Sequence, residues 1–170
     1  MKSTPLFEFT VNKETNTVHV KREFAASLEL VWDAWTNPEI IDQWWAPKPW
    51  RAETKSMDFR EGGFWLYAMV GPENETHWGR QEYQKIVPLT SFSGIDAFCD
   101  DFGDVNETLP KTLFDNRFSE ASDKTIVTIT STYESLDMLE MVIEMGFKEG
   151  FTMALENLDI ILESKMKMRN

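Results

Sequence analysis

Few side chains in this sequence are suited to moving a proton, and none is held in a compelling pattern. Tyr67, His77 and Glu82 are the residues an enzyme here could use as acid or base, though no spacing compels it. Strand alternation puts Trp78, Arg80 and Glu82 on one face and His77 on the other. Arg80 and Glu82 then read most simply as a rim or surface ion pair. His19 and His77 are the only two histidines and Cys99 is the one cysteine, which makes no zinc set and no internal disulfide. Gly-x-Ser-x-Gly, P-loop and dinucleotide fingerprints do not occur. The acidic stretch "DDFGDVNETLP" (100–110) resembles half an EF-hand, but the register set by Gly103 puts Phe98 in the first ligand position. A solvated loop is the expectation there. No catalytic residue, metal ligand or cofactor is assigned, and catalysis is not required by any spacing.

Binding chemistry is better represented. "IIDQWWAPKPW" (40–50) holds three of the seven tryptophans, Trp44, Trp45 and Trp50, with Pro47 and Pro49 between them. Neighbouring helical positions diverge by about 100°, so Trp44 and Trp45 cannot face the same way. One is expected to pack under a sheet and the other to reach a pocket mouth or solvent. Trp50 opens the next strand. On "FWLYAMVG" (64–71), alternation groups Trp65, Tyr67 and Met69 on one face. An inward tyrosine hydroxyl needs a hydrogen-bond partner, which makes Tyr67 the candidate for orienting a ligand. All seven tryptophans lie in the first 78 residues, and six of nine methionines lie at or after 138. Such a division fits either a plain core or an adaptable apolar pocket, since methionine reshapes around varied ligands.

These residues need a frame. "LFEFTV" (6–11) and "TVHVKREFAA" (17–26) read as strands around the turn "NKETN". Ser27 caps a helix over 27–36, and Asn37-Pro38 opens a second helix carrying Ile40, Ile41, Trp44 and Trp45 until Pro47 ends it. Further strands are predicted over 51–59, 64–71, 76–88, 91–99, 111–120 and 124–135, separated by Gly, Pro, Asn and Asp clusters. A short helix over 135–145 stops near Gly146. Phe147, Phe151, Ala154, Leu155, Leu158, Ile161 and Leu162 then follow helical spacing. One long apolar helix stripe beside a curved antiparallel sheet gives an α+β layer arrangement.

Bulk properties restrict the partners. At 170 residues the chain suits a single domain over 1–170, with a core that needs no staples. Its net charge of −12 disfavours nucleic acid and membrane surfaces as partners. No apolar run approaches the roughly 20 residues of a membrane helix. The first residues, "MKSTPLFEFTVNKE", lack a signal-peptide core, and with one cysteine a cytoplasmic location is expected.

Four blocks resemble one family: "VKREFAASLELVWDAWTNPEIIDQWWAP" (20–47), "DFREGGFWLYAMVGPE" (58–73), "YQKIVP" (83–88) and "GFTMALENLDIIL" (150–162). The chain is similar to START-like (SRPBCC) proteins, and within them to the family named after the C-terminal domain of the activator of the ninety-kilodalton heat-shock protein's ATPase. Phe151 stands where that family has tryptophan. The resemblance implies a helix-grip fold over about 20–162: a curved antiparallel sheet wrapped around a long C-terminal helix, with two short helices after the first strands. It also implies a cavity, with Trp65, Tyr67 and Met69 facing it; Phe151 is a further ligand-binding candidate that either lines the cavity or fills the core. A small apolar or amphipathic ligand is the expected partner. A chaperone partner is implied by the family name alone, and a cyclase- or hydrolase-like enzyme is the other alternative. Only residues 1–19 precede the match, so strong stimulation of a chaperone ATPase is not expected.

Overall fold

The computed structural model describes residues 5–169. Eight strands form one antiparallel sheet in the order β1-β2-β8-β7-β6-β5-β4-β3. They are β1 (Phe7–Asn12), β2 (Thr17–Phe24), β3 (Arg51–Met57), β4 (Phe64–Val70), β5 (Thr76–Val87), β6 (Ser91–Cys99), β7 (Lys111–Ala121) and β8 (Lys124–Thr132). Two short helices, α1 (Leu28–Thr36) and α2 (Pro38–Ile41), interrupt the sheet after β2; α3 (Leu136–Glu144) and the long α4 (Phe147–Arg169) follow β8. The first two strands join the sheet through β8, the last one, so the connection from β2 to β3 crosses one end of the sheet. That crossing segment carries α1, α2 and the tryptophan-rich loop. The fold is α+β, a helix grip as the sequence predicts.

Local chemistry sets the element ends. Ser27 Oγ accepts from the Leu30 amide, capping α1. Asn37 ends α1 and starts α2, its Oδ1 accepting from Glu39 N at 3.0 Å with Pro38 in the first turn. The predicted second helix is too long. Helix α2 stops at Ile41, and Trp44 and Trp45 lie in the turn beyond it. The reason is Asp42, whose carboxylate takes both the backbone N–H (3.1 Å) and the hydroxyl (2.5 Å) of Thr54 on β3 and so draws the chain toward the sheet. The last strand is also shorter than predicted, because Ser135 caps α3 by accepting from Met138 N at 3.2 Å. In the acidic loop, Asp100 Oδ1 accepts from the amides of Phe102 and Asp104, both at 2.9 Å. The carboxylate holds the loop's own backbone.

Ala154, Leu155, Leu158 and Leu162 press one side of α4 onto the sheet, each at 2% exposure or less. Fully burying such a side chain is worth roughly 1.5–3 kcal/mol for each large aliphatic. At the α1 end the core is aromatic. Trp35 meets Trp44 edge-on at 4.6 Å, and Trp32 meets Phe118 at 5.0 Å, close to the geometry that ring quadrupoles favour. The sheet and α4 thus pack tightly at one end. At the other end they do not.

A cavity with one polar rung: the candidate functional site

Where the sheet curves away from the start of α4 it leaves a cavity of about 320 Å³. This is at the lower end of the size usual for small-molecule sites, roughly 300–1,000 Å³. The concave faces of β4 to β8 form its floor, α3 and the first turns of α4 its roof, and Trp45 and Pro47 one wall. Most of the lining is apolar, with Trp35, Met69, Phe114, Val142, Phe147 and Phe151 among its members.

Sheet register aligns one rung of polar groups across this floor. Gln81 on β5 is opposite Asp96 on β6, and Asp96 is opposite Thr112 on β7. Tyr67 reaches the same point from β4. It stands opposite Gly79, where a Cβ would sit 2.6 Å from the tyrosine ring, so only glycine leaves the ring room to lie over β5. The Tyr67 hydroxyl donates to Asp96 Oδ2 at 3.0 Å, with a longer 3.3 Å approach to Oδ1. Gln81 Nε2 donates to the same Oδ2 at 3.0 Å. Asn116 and Ser131, each 5% exposed, add polar side chains on β7 and β8.

Burial governs the electrostatics. It pushes the Asp96 carboxyl up to about 6, while the Gln81 and Tyr67 donors pull it back by stabilising the anion. Burial, then the charge of Asp96, raises the Tyr67 phenol well above its ordinary value. Tyr83 is raised by the same two causes. The Cys99 thiol is pushed up to about 11 by burial, which keeps it protonated. Asp96 keeps an intermediate accessibility because it faces the cavity rather than packed protein.

A pH dependence follows. The folded-state carboxyl of Asp96 titrates near 6, above its ordinary value of 3.8. Its contribution is therefore fully present below about pH 4 and is lost as pH rises through about 6. Relative to wild type, Asp96→Asn should gain stability on going from pH 4.5 to pH 7. The gain is on the order of 1–2 kcal/mol, since a pKa unit corresponds to about 1.4 kcal/mol and solvent reaching the cavity moderates the effect. Urea melts of both proteins at the two pH values measure it, and a difference that does not change with pH would contradict a desolvated Asp96.

The expected ligand-binding residues divide into two groups. Trp45, Tyr67, Met69 and Phe151 line the cavity together. Trp44, Trp50 and Trp65 do not. Trp44 is fully buried behind the wall, its Nε1 donating to Ala34 O at 3.0 Å. Trp65 shares the inward face of β4 but stacks on Tyr67 at 4.0 Å and is sealed beneath it and Trp45. Trp50 stacks on His77 at 5.5 Å, and through His77, an exposed lining residue, it abuts the rim. Trp44 and Trp45 diverge as neighbouring residues should, one inward and one to the cavity. Trp45 Nε1 is buried with no hydrogen-bond partner among the described residues, although it lies near enough to Tyr67 to favour the phenolate.

Sequence reasoning missed Asp96 and Gln81. One signal was present: in "SFSGIDAFC" alternation puts Asp96 on the same face as Phe92, Gly94 and Phe98, an acid in an otherwise apolar row.

The model of the family described as activator of Hsp90 ATPase homolog 1-like protein matches residues 25–163. Among curated proteins, none matches the chain. Solved structures are similar. Protein Ms6760 from Mycobacterium smegmatis is 30% identical with a TM-score of 0.85, the match covering 94% of this chain and 97% of that one. A protein from Arthrobacter aurescens is 28% identical with a TM-score of 0.87, covering 92% and 91%. CalU16 from Micromonospora echinospora, at 20% identity and TM-score 0.63 over 98% and 90%, shares the fold. The family match runs from the end of β2 into α4 and takes in α1, the tryptophan loop and every strand that floors the cavity. The chain therefore belongs to the family of activator of Hsp90 ATPase homolog 1-like proteins.

Proposed function

We propose that this protein binds a small amphipathic molecule in the cavity between the sheet and α4. The observation that carries the reading is the composition of the lining, with mostly apolar walls around a hydrogen-bonded polar cluster of Tyr67, Gln81 and Asp96. Apolar walls supply affinity through burial, and a few placed polar groups fix orientation. Because Trp45 lines the cavity, apolar probes should change intrinsic fluorescence saturably, and Trp45→Phe should remove most of that change. Trp50→Phe, at the rim, should remove less. A broad library of lipids and aromatic compounds that leaves emission unaltered would sink the reading.

A second reading draws on the convergence of Tyr67 and Asp96. A carboxyl titrating near neutrality beside a phenol, inside an apolar cavity, suits acid–base catalysis. The two readings differ in the fate of the bound molecule. A binding protein releases it unchanged in native mass spectrometry. An enzyme converts it, and Asp96→Asn would then retain the molecule without converting it.

A further inference from the structure

We propose that the molecule this cavity takes carries a basic nitrogen, a primary or secondary amine, that docks on Asp96. The inference rests on the binding reading above and names the ligand's chemical class. Three observations carry it.

The first is charge. Asp96 is the only acidic side chain lining the cavity among the described residues, and no lysine or arginine lines it. No cation figures among the groups acting on Asp96. The titratable groups around it are Tyr67 on β4, Tyr83 on β5, Cys99 on β6 and Tyr133 just beyond the end of β8, all raised by burial and so neutral near pH 7. His77 stands at the rim, stacked on Trp50. Buried charges in proteins are ordinarily paired. This carboxylate is not, and a ligand that brings a positive charge completes the pair.

The second is hydrogen-bond capacity. Both good donors converge on Oδ2, at 3.0 Å each. Oδ1 receives only the long 3.3 Å branch from Tyr67. A carboxylate has about four acceptor positions, so Oδ1 is left for a donor arriving from the cavity. An ammonium is a stronger donor to it than a neutral hydroxyl, because charge-assisted bonds are roughly twice as strong.

The third is the walls. Trp45, Phe114, Phe147 and Phe151 present rings to the same space. Aromatic faces attract cations and tolerate the apolar body attached to them. A carboxylate head would instead face Asp96. Two like charges in contact inside a cavity poor in water repel. The cavity so built selects against fatty acids.

Octylamine, octanol and octanoate share one apolar body and differ in the head. Each is used at pH 7.5 to displace an apolar fluorescent probe from the cavity. The amine should bind with 1:1 stoichiometry at least tenfold more tightly than the alcohol, and the carboxylate should be weakest. Asp96→Asn should abolish the advantage of the amine over octanol. A saturable probe signal with all three heads bound equally overturns the amine proposal and leaves the binding reading standing. An amine preference that survives Asp96→Asn, or that exceeds 1:1, is adsorption to the acidic surface and also overturns it. No binding of the fluorescent probe or of any octyl compound overturns both.

Discussion

Leu158→Ala is expected to destabilise the protein by about 2–5 kcal/mol, the usual range for a packed aliphatic. Phe151→Ala, two turns earlier on the same side of the helix, is expected to cost nearer about 1–2 kcal/mol. The larger side chain gives the smaller loss because of what surrounds each. Leu158 is fully buried between α4 and the sheet, so its removal forfeits both transfer energy and contacts on every side. Phe151 lines the cavity. It stacks on Phe147 at 5.5 Å and meets Trp45 edge-on at 6.3 Å, but one side faces empty space. Where no atoms were in contact, none are lost. Urea unfolding of the two variants with equal m-values makes the comparison valid. Phe151→Ala should also enlarge the cavity and shift its preference toward bulkier ligands. A Phe151→Ala cost equal to that of Leu158→Ala, with probe binding unchanged, would make Phe151 a core residue.

The contrast also shows where the sequence was informative. Periodicity placed Phe151 and Leu158 on one stripe and could not tell packed from cavity-facing, because both look alike until the sheet's curvature is known. The fold was legible because its signals are local: caps at Ser27 and Asn37, alternation along the strands, and turn residues between them. The polar rung was not, since it depends on register between β4, β5, β6 and β7. Asp96, Gln81 and Tyr67 are far apart in sequence and meet only through pairing. Helix α2 was overextended for a similar reason, as the Asp42–Thr54 bonds that end it join positions 12 apart.

Arg22 belongs to the same class of nonlocal effects. It alternates with Val18, Val20 and Phe24 on the inward face of β2, at 3% exposure. One guanidinium nitrogen pairs with Asp159 on α4, and another donates to Glu23 O at 2.6 Å. Arg22 Nε has no partner among the described residues. The group also lies 4.9 Å from the Phe24 ring centre. A buried arginine of this kind fixes how α4 lies on β2, at the expense of desolvating a charge. Asp159→Ala should therefore cost about 3 kcal/mol, the lower end of the range for breaking a buried pair, because the Asp159 side chain is 38% exposed. Replacing both partners, Arg22→Met with Asp159→Ala, should recover most of that loss, since no unpaired charge remains buried. The exposed pair Arg51–Glu53 is the contrast: both side chains are more than half exposed, and Glu53→Ala should cost under about 1 kcal/mol and less in high salt. Urea denaturation of the full double-mutant cycle measures the coupling. An Asp159→Ala cost as small as that of Glu53→Ala would mean that Phe24 and the Glu23 carbonyl hold Arg22, and that the ion pair does not dock the helix.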